Sequence, residues 1–367
     1  MATTMLFIGP LPEPVTGQSL ACRVLLDGLP AGYRVELVDM AKREFTQGVS
    51  SLSRVAQVAR ILWRVWRRRR HADVVYLNVS ESVAGSAKDL VIYALCFGKL
   101  GRTAIHLHGG AGMREIMRHR GPLRTLNAFF LKRLGAAIVL GESQREIYRG
   151  VVPEDRIHVV PNFAEDSLFT TTAGVDAKFD RTTPLRVLFL SNLLPGKGYE
   201  ELADAYLGLD ESVKASIRLD LAGAFEAEGA RADFLAKVAG DRRIQYHGTV
   251  AGDRKRELFW QAHVFCLPTY YAYEGQPISI LEAYASGCAV ITTAHSGIPD
   301  VFRDGVNGLQ VAARSVDALR AALTAAVSAP DALRQMAMTN HTTALDVYRT
   351  ATFQRAVMGV LDRVANQ

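Results

Sequence analysis

The chain has 367 residues, about half of them apolar (49%), and a formal net charge of +6. That length and apolar share allow two domains with separate cores, and no internal repeat or low-complexity tract argues for a fibrous or disordered chain. Leu90 to Phe97, the longest uncharged apolar candidate, is closed by Lys99 and is too short to cross a bilayer, so a transmembrane span is excluded.

Met1-Ala-Thr-Thr carries no basic region, and Met5 to Ile8 before Gly9-Pro10 reads as a buried first strand rather than a signal peptide. Cys22, Cys96, Cys266 and Cys288 are scattered without a C-x-x-C pair. They read as reduced, buried thiols of a cytoplasmic protein.

Strand-like runs alternate with helical segments along the chain. Met5–Ile8, Tyr33–Val38, Asp73–Leu77, Thr103–Leu107, Ala136–Leu140 and Ile157–Val160 form a first series. After the polar stretch Glu165–Thr183 a second series runs Leu185–Leu190, Ile217–Ala222, Ile244–His247, Val264–Leu267, Ala289–Thr292 and Gly308–Val311. Such alternation predicts βαβ units in two successive parallel sheets, an α/β chain of two Rossmann-like domains. Residues 1–170 would form the first, 171–345 the second, and a terminal helical segment within 346–367 follows. Ligands of such sheets bind at the C-terminal ends of the strands, and two domains facing each other make a cleft.

Charge is spread unevenly. Residues 1–164 hold 23 basic and 13 acidic side chains, the remainder 20 and 24. Arg54, Arg60, Arg64 and Arg67 to Arg70 alternate with Val55, Val58, Ile61, Leu62, Trp63, Val65 and Trp66; a second basic helix covers Arg114 to Arg133, with Met117, Leu123, Phe129, Phe130 and Leu131. Basic helices with an aromatic face suit an anionic membrane surface. A surface helix whose Trp side chains pack into the core reads equally well. No nucleic-acid motif accompanies the charge, and nucleic acid is not expected as a partner.

Gly9-Pro-Leu-Pro-Glu-Pro-Val-Thr-Gly-Gln-Ser19 links the first strand to a helix that Thr16 or Ser19 can cap, with Gly17 letting backbone approach a ligand. Ile105-His-Leu-His-Gly-Gly110 puts His106 and His108 on one face of a strand. No nearby Asp or Cys completes a metal site and no D-x-D occurs, so no catalytic metal is expected. Leu188-Phe-Leu-Ser-Asn-Leu-Leu-Pro-Gly-Lys-Gly198 ends a strand and delivers Lys197 between two glycines, where an ammonium can meet a diphosphate. It is not a P-loop, because Ser191 and Gly198 stand where that motif needs Gly and a hydroxyl.

In Tyr273-Glu-Gly-Gln-Pro-Ile-Ser-Ile-Leu-Glu-Ala-Tyr-Ala-Ser-Gly287, a loop broken by Gly275 and Pro277 becomes a helix over Ser279 to Ser286. A helix N-terminus collects free N–H groups and suits phosphate, while Glu274 and Glu282 would face hydroxyls; a sugar nucleotide offers both. Taken singly, either Glu also reads as an ordinary dipole-complementing or solvated helix residue.

With Val264-Phe-Cys-Leu-Pro-Thr269 before it, and Gly287-Cys-Ala-Val-Ile-Thr-Thr293, Ser296-Gly-Ile-Pro-Asp300 and Asp304-Gly-Val-Asn-Gly308 after it, this string resembles the E-x7-E region of the retaining glycosyltransferases of family 4. The match is ungapped over Val264 to Val311. The resemblance implies the GT-B fold, with a terminal helix crossing back to the first domain. It implies a metal-independent, cofactor-free hexosyl transfer from a nucleoside diphosphate sugar, by front-face attack with retained configuration.

By the same resemblance, Lys197 and the Ser279 end of the helix hold the diphosphate. Glu282 takes the ribose hydroxyls and Glu274 the donor sugar. His108 hydrogen-bonds the transferred sugar, while His106 is structural. Gly17 lies beside phosphate and acceptor, and Tyr246-His-Gly-Thr-Val250, with Gly248 and Val250, meets the base. Val160-Pro-Asn-Phe-Ala164 resembles an interdomain element.

Two departures stand out: Asn192 replaces a common arginine, and Gln276-Pro277 replaces Phe-Gly, so the loop Gly275, Gln276, Pro277, Ile278 and Ser279 loses one backbone donor and gains an amide. The basic first domain favours a lipid-linked or polysaccharide-precursor acceptor at the inner face of the cell membrane. A nucleotide-sugar epimerase of the same fold, or a catalytically silent nucleotide-sugar-binding subunit, remain as alternatives.

Overall fold

The computed structural model describes residues 2–41, 51–80 and 82–367, without the side chains of residues 51–54. Met1 and the Arg54 side chain, both used above, lie outside the described residues. The chain divides into two compact units, Met1–Asn162 with Ala351–Gln367, and Phe163–Thr350.

The first unit holds strands β1 (Thr3–Gly9), β2 (Tyr33–Asp39), β3 (Val74–Asn78), β4 (Thr103–Leu107), β5 (Ala136–Val139) and β6 (Ile157–Val159). They form one sheet in the order β2-β1-β3-β4-β5-β6, and every pair is parallel. Helices α1 (Gly17–Asp27), α2 (Ser51–Arg68), α3 (Val83–Leu95), α4 (Ala111–Arg118), α5 (Pro122–Leu131) and α6 (Glu142–Tyr148) lie between them in sequence. Every residue of β3, β4 and β5 is buried, as strands covered on both faces require.

The second unit holds α7 (Thr172–Phe179), β7 (Leu185–Leu190), α8 (Tyr199–Leu207), α9 (Glu211–Ala215), β8 (Ile217–Ala222), α10 (Glu228–Val238), β9 (Ile244–Tyr246) and α11 (Gly252–Gln261). Next come β10 (Val264–Leu267), α12 (Ile278–Ala285), β11 (Ala289–Thr292), β12 (Gly308–Gln310), α13 (Val316–Ser328) and α14 (Pro330–Val347). Its parallel sheet runs β12-β11-β10-β7-β8-β9. A last helix, α15 (Thr350–Ala365), buries Phe353, Val357, Val360 and Leu361, and its residues from Ala351 onward belong to the first unit.

Both sheets reverse strand order once, between β1 and β3 and between β7 and β10. In open parallel sheets the crevice for a ligand lies at such a reversal, outside the carboxyl ends of the strands. The loops after β1, β7 and β10 therefore matter most. The first carries Gly17, the second Lys197 and the third Glu274.

Of the two basic segments, the first forms its expected helix and the second does not. In α2, Ile61 and Val65 are buried, but Trp63 and Trp66 remain about half exposed, with the Arg67 and Arg70 guanidiniums 5.5 and 5.8 Å from their ring centres. Core packing of the Trp side chains, one of the two readings of this helix, is thereby ruled out. Arg114 to Arg133 is not one helix: Gly121 is extended and Pro122 restarts the chain as α5. No helix among the described residues is long and apolar enough to cross a membrane. All four cysteines are free and buried, and burial raises the Cys22 thiol to about 12.

His263 ties the start of β10 to its neighbour β7 and to α7. Its Nδ1 accepts from the Arg186 amide at 2.9 Å and its Nε2 lies 2.9 Å from the Lys178 carbonyl. Burial, with Lys178 and Arg186 nearby, lowers its pKa from 6.5 to about 4. A histidine kept neutral by the fold contributes stability that is complete above pH 6.5 and is lost as pH falls toward 4. The full contribution is about 3 kcal/mol. Denaturant titrations of the unchanged chain should show this loss between pH 6.5 and 4, and His263→Gln should make the decline shallower by one proton's worth. Identical slopes would mean that His263 does not titrate differently on unfolding.

Candidate functional site

The loop from β7 to α8 approaches the loop from β10 to α12 through two glycines that no other residue could replace without strain. Gly196 and Gly198 have φ of +89° and +85°, and a Cβ on Gly198 would lie 2.5 Å from the Pro268 carbonyl oxygen. The Tyr270 amide donates to the Gly196 carbonyl at 2.7 Å. Lys197 is thereby aimed across the reversal point, where its Nζ meets Glu274 Oε2 at 2.8 Å. Thr269 Oγ1 donates to the same carboxylate oxygen at 2.9 Å, and the Lys197 ammonium stands 4.9 Å from the Tyr271 ring centre.

The Glu274 backbone is fixed from the far side. Ser296 adopts φ +52°, unusual for a residue with a side chain, and its hydroxyl donates to the Glu274 carbonyl at 2.6 Å. The Gly297 amide donates to the Gly275 carbonyl at 3.1 Å, and a Cβ on Gly297 would approach that oxygen to 2.8 Å. Gln276 and Pro277 then lead into α12, whose N-cap Pro277 makes no side-chain cap bond. The first-turn N–H groups of Ile278 and Ser279 are left for another acceptor. Glu274, Gly275, Gln276, Pro277, Ile278 and Ser279 thus run as one segment from the Lys197 contact into α12.

Glu282 lies one turn into α12 and is buried. Its Oε1 receives the Lys255 ammonium at 2.7 Å, and the same ammonium reaches Glu165 at 2.7 Å. Burial pushes the Glu282 carboxyl up, opposed by Lys255. Asn192 sits partly exposed at the start of the Lys197 loop, its carbonyl accepting from Leu194. Gly248 has φ +69° and accepts from the Gly223 amide at 2.8 Å; Val250 follows it, partly buried.

In the first unit, His106 is fully buried and its Nδ1 lies 2.8 Å from the Tyr76 hydroxyl. His108, its ring centre 4.1 Å from that of His106 and tilted by 33°, is lowered by burial to about 3 and so is neutral at ordinary pH. Gln144 clamps the turn that follows, donating to the His108 and Gly109 carbonyls at 3.2 and 2.6 Å. Gly17 begins α1, capped by a reciprocal Thr16–Ser19 box. Among the described residues no group of three or more His, Cys, Asp or Glu could hold a metal ion.

Sequence reasoning missed Lys255, Glu165, Thr269 and Ser296. Lys255 and Glu165 act through partners distant in the chain and Ser296 through backbone geometry, while Thr269 reaches Glu274 five positions on across the loop, and no residue pattern marks these contacts.

Residues 176–342 match the model of the family described as Glycosyl transferases group 1. The matched stretch lies within the second unit and makes it glycosyltransferase-like. It includes Val264 to Val311, the stretch whose resemblance to glycosyltransferases was expected. The MMP alpha-(1->4)-mannosyltransferase of Mycolicibacterium hassiacum is 24% identical over 213 residues, covering 58% of this chain and 49% of that protein. The chain spans about half or less of the length of the curated relatives it matches first.

A crystal structure of Anabaena Alr3699/HepE in complex with UDP superposes with a TM-score of 0.72 at 14% identity, over 99% of this chain and 100% of that one. WaaG, a glycosyltransferase involved in lipopolysaccharide biosynthesis, gives 0.65 at 15%, over 99% and 98%. At these identities the likeness is one of fold, and the fold is GT-B.

The Lys255 ammonium is almost enclosed by two carboxylates, and removing it would leave Glu282 buried and unpaired. Lys255→Met should destabilise the second unit by about 3 kcal/mol, and the double change Lys255→Met with Glu282→Gln should recover part of that loss. Chemical denaturation monitored by fluorescence reads both. A single variant as stable as the unchanged chain would show that the pair contributes nothing.

Proposed function

We propose that the protein is a retaining hexosyltransferase that takes its sugar from a nucleoside diphosphate donor. The observation that carries this reading is the Lys197–Glu274 contact at the strand-order reversal, beside the open N-terminus of α12. Diphosphate departure builds negative charge, which an ammonium and aligned N–H groups stabilise. On this reading the Lys197 ammonium turns from Glu274 to the leaving diphosphate. Glu274 then accepts from sugar hydroxyls, with Thr269 holding its Oε2.

Glu282 serves the ribose and the Gly248–Val250 segment the base, while His108 and Gly17 serve the sugar and acceptor. The acceptor hydroxyl attacks from the leaving-group face and gives its proton to a phosphate oxygen. No metal is assigned a step in this scheme, because Lys197 and α12 supply the positive charge.

The acceptor on this reading is a lipid-linked saccharide or a polysaccharide precursor, used at the inner face of the cell membrane. Support comes from the basic first unit and from the half-exposed Trp63 and Trp66 beside Arg67 and Arg70. Neutralising Arg67 to Arg70 should abolish flotation with anionic vesicles and leave neutral vesicles unaffected. Unchanged flotation would remove the membrane from the scheme.

Calorimetry against UDP-, GDP- and TDP-sugars identifies the donor. With that donor, Lys197→Ala should lower turnover by roughly 100- to 1000-fold with a smaller effect on donor binding. Glu274→Ala should abolish transfer, and product NMR should show the donor's anomeric configuration. Full turnover by Glu274→Ala, or an inverted product, would sink the proposal.

A further inference from the structure

A cavity of about 350 Å³ lies wholly within the first unit, among α4, the start of α5 and α6. Arg114, Arg118, Arg124 and Arg149 line it, and Glu146 is the acidic side chain among them. Glu146 is already engaged by Arg149 at 2.8 Å. The neighbouring carboxylates are engaged as well, Glu142 and Glu154 by Arg145 at 3.5 and 3.2 Å.

Arg114 is steered by its Nη2, which donates to the Ser143 carbonyl at 3.3 Å. That single bond leaves most of its five donors unused. The side chains of Arg118 and Arg124 have no ion pair or hydrogen bond with the described residues. Four guanidiniums against one carboxylate leave three positive charges around one concavity. Like charges lining one concavity repel unless an anion joins them. A planar guanidinium fork matches the oxygens of a phosphate better than those of a spherical anion. Met117, Ile147 and Val151 make an apolar part of the wall, against which an organic group attached to that anion can rest.

We propose that this cavity binds a phosphate or diphosphate group, the anionic end of a phosphorylated acceptor. The anion site stands on the first unit alone; its assignment to the acceptor rests on the transferase reading above. The phosphate belongs either to a membrane lipid or to a soluble ester.

Calorimetry with inorganic pyrophosphate tests the site, using the full chain, the double variant R118A/R124A and K197A. Binding should persist in K197A and weaken about tenfold or more in R118A/R124A, since each lost guanidinium removes charged hydrogen bonds. Equal affinity of R118A/R124A and the unchanged chain overturns the proposal. Pyrophosphate binding that depends on these arginines in a chain without sugar transfer overturns only the transferase reading.

Neutral phosphatidylcholine vesicles doped with a polyprenyl diphosphate separate the two sources. Recruitment of the unchanged chain but not of R118A/R124A places the phosphate on a lipid. Arginine-dependent pyrophosphate binding without recruitment places it on a soluble ester, and absence of both refutes the site.

Discussion

The adjacency of β7 and β10 is the constraint on which the second unit's chemistry depends. In a parallel sheet each strand leaves toward a covering helix, and only where the order reverses do two neighbouring strands send their chains apart. Two loops can then meet in the gap without a helix above them. Here the meeting loops carry Lys197 and Glu274, 77 positions apart in sequence and 2.8 Å apart in space. The closeness of the loops also dictates residue types. Gly198 is glycine because the Pro268 carbonyl occupies the space of its side chain, and Gly297 because the Gly275 carbonyl does.

A triad and a pair of charges at α12 behave differently. Lys255 lies between Glu165 and Glu282 with all three charges tied to one another. Such an arrangement fixes geometry more surely than it adds stability, because desolvation offsets most of the attraction. It holds α12 against α11 and the segment before α7. Lys197 and Glu274 instead form a single pair beside open N–H groups, so either partner can exchange for a ligand atom at the cost of one contact. The triad orients the helix; the pair is open to exchange.

Much of this was legible in the sequence. Buried parallel strands are apolar on both faces, so β3, β5, β10 and β11 appear as mostly unbroken apolar runs, with β4 interrupted by His106, and the alternation with helices implies the two sheets. The glycines around Lys197 and the Gly275–Pro277 break were equally visible, because both residue types mark special backbone geometry. What stayed hidden was contact. Lys255 reaches Glu282 and Glu165 across 27 and 90 positions, and Ser296 acts through an uncommon φ.

The basic segments show a second limit. Gly121-Pro122 did announce a break between α4 and α5, but the charge pattern on either side reads as one helix. In α2 the apolar residues cover more than one face. Ile61 and Val65 take the core, and nothing in spacing alone assigns Trp63 and Trp66 to the outside.

On the transferase reading, the departures Asn192 and Pro277 acquire a common meaning. Without an arginine at position 192, Lys197 is the cation of its loop, and Glu274 pairs with it. A diphosphate must therefore compete with a carboxylate for that ammonium, and Glu274 must find other donors once released. Thr269 already supplies one at 2.9 Å, and sugar hydroxyls supply the rest. Pro277, at φ −63°, withholds an N–H but sets the backbone entering α12, so the groups offered to phosphate are those of Ile278 and Ser279. Binding of the diphosphate and recognition of the sugar are then one event. The cation that moves to the phosphate is the one whose departure frees Glu274 for the sugar.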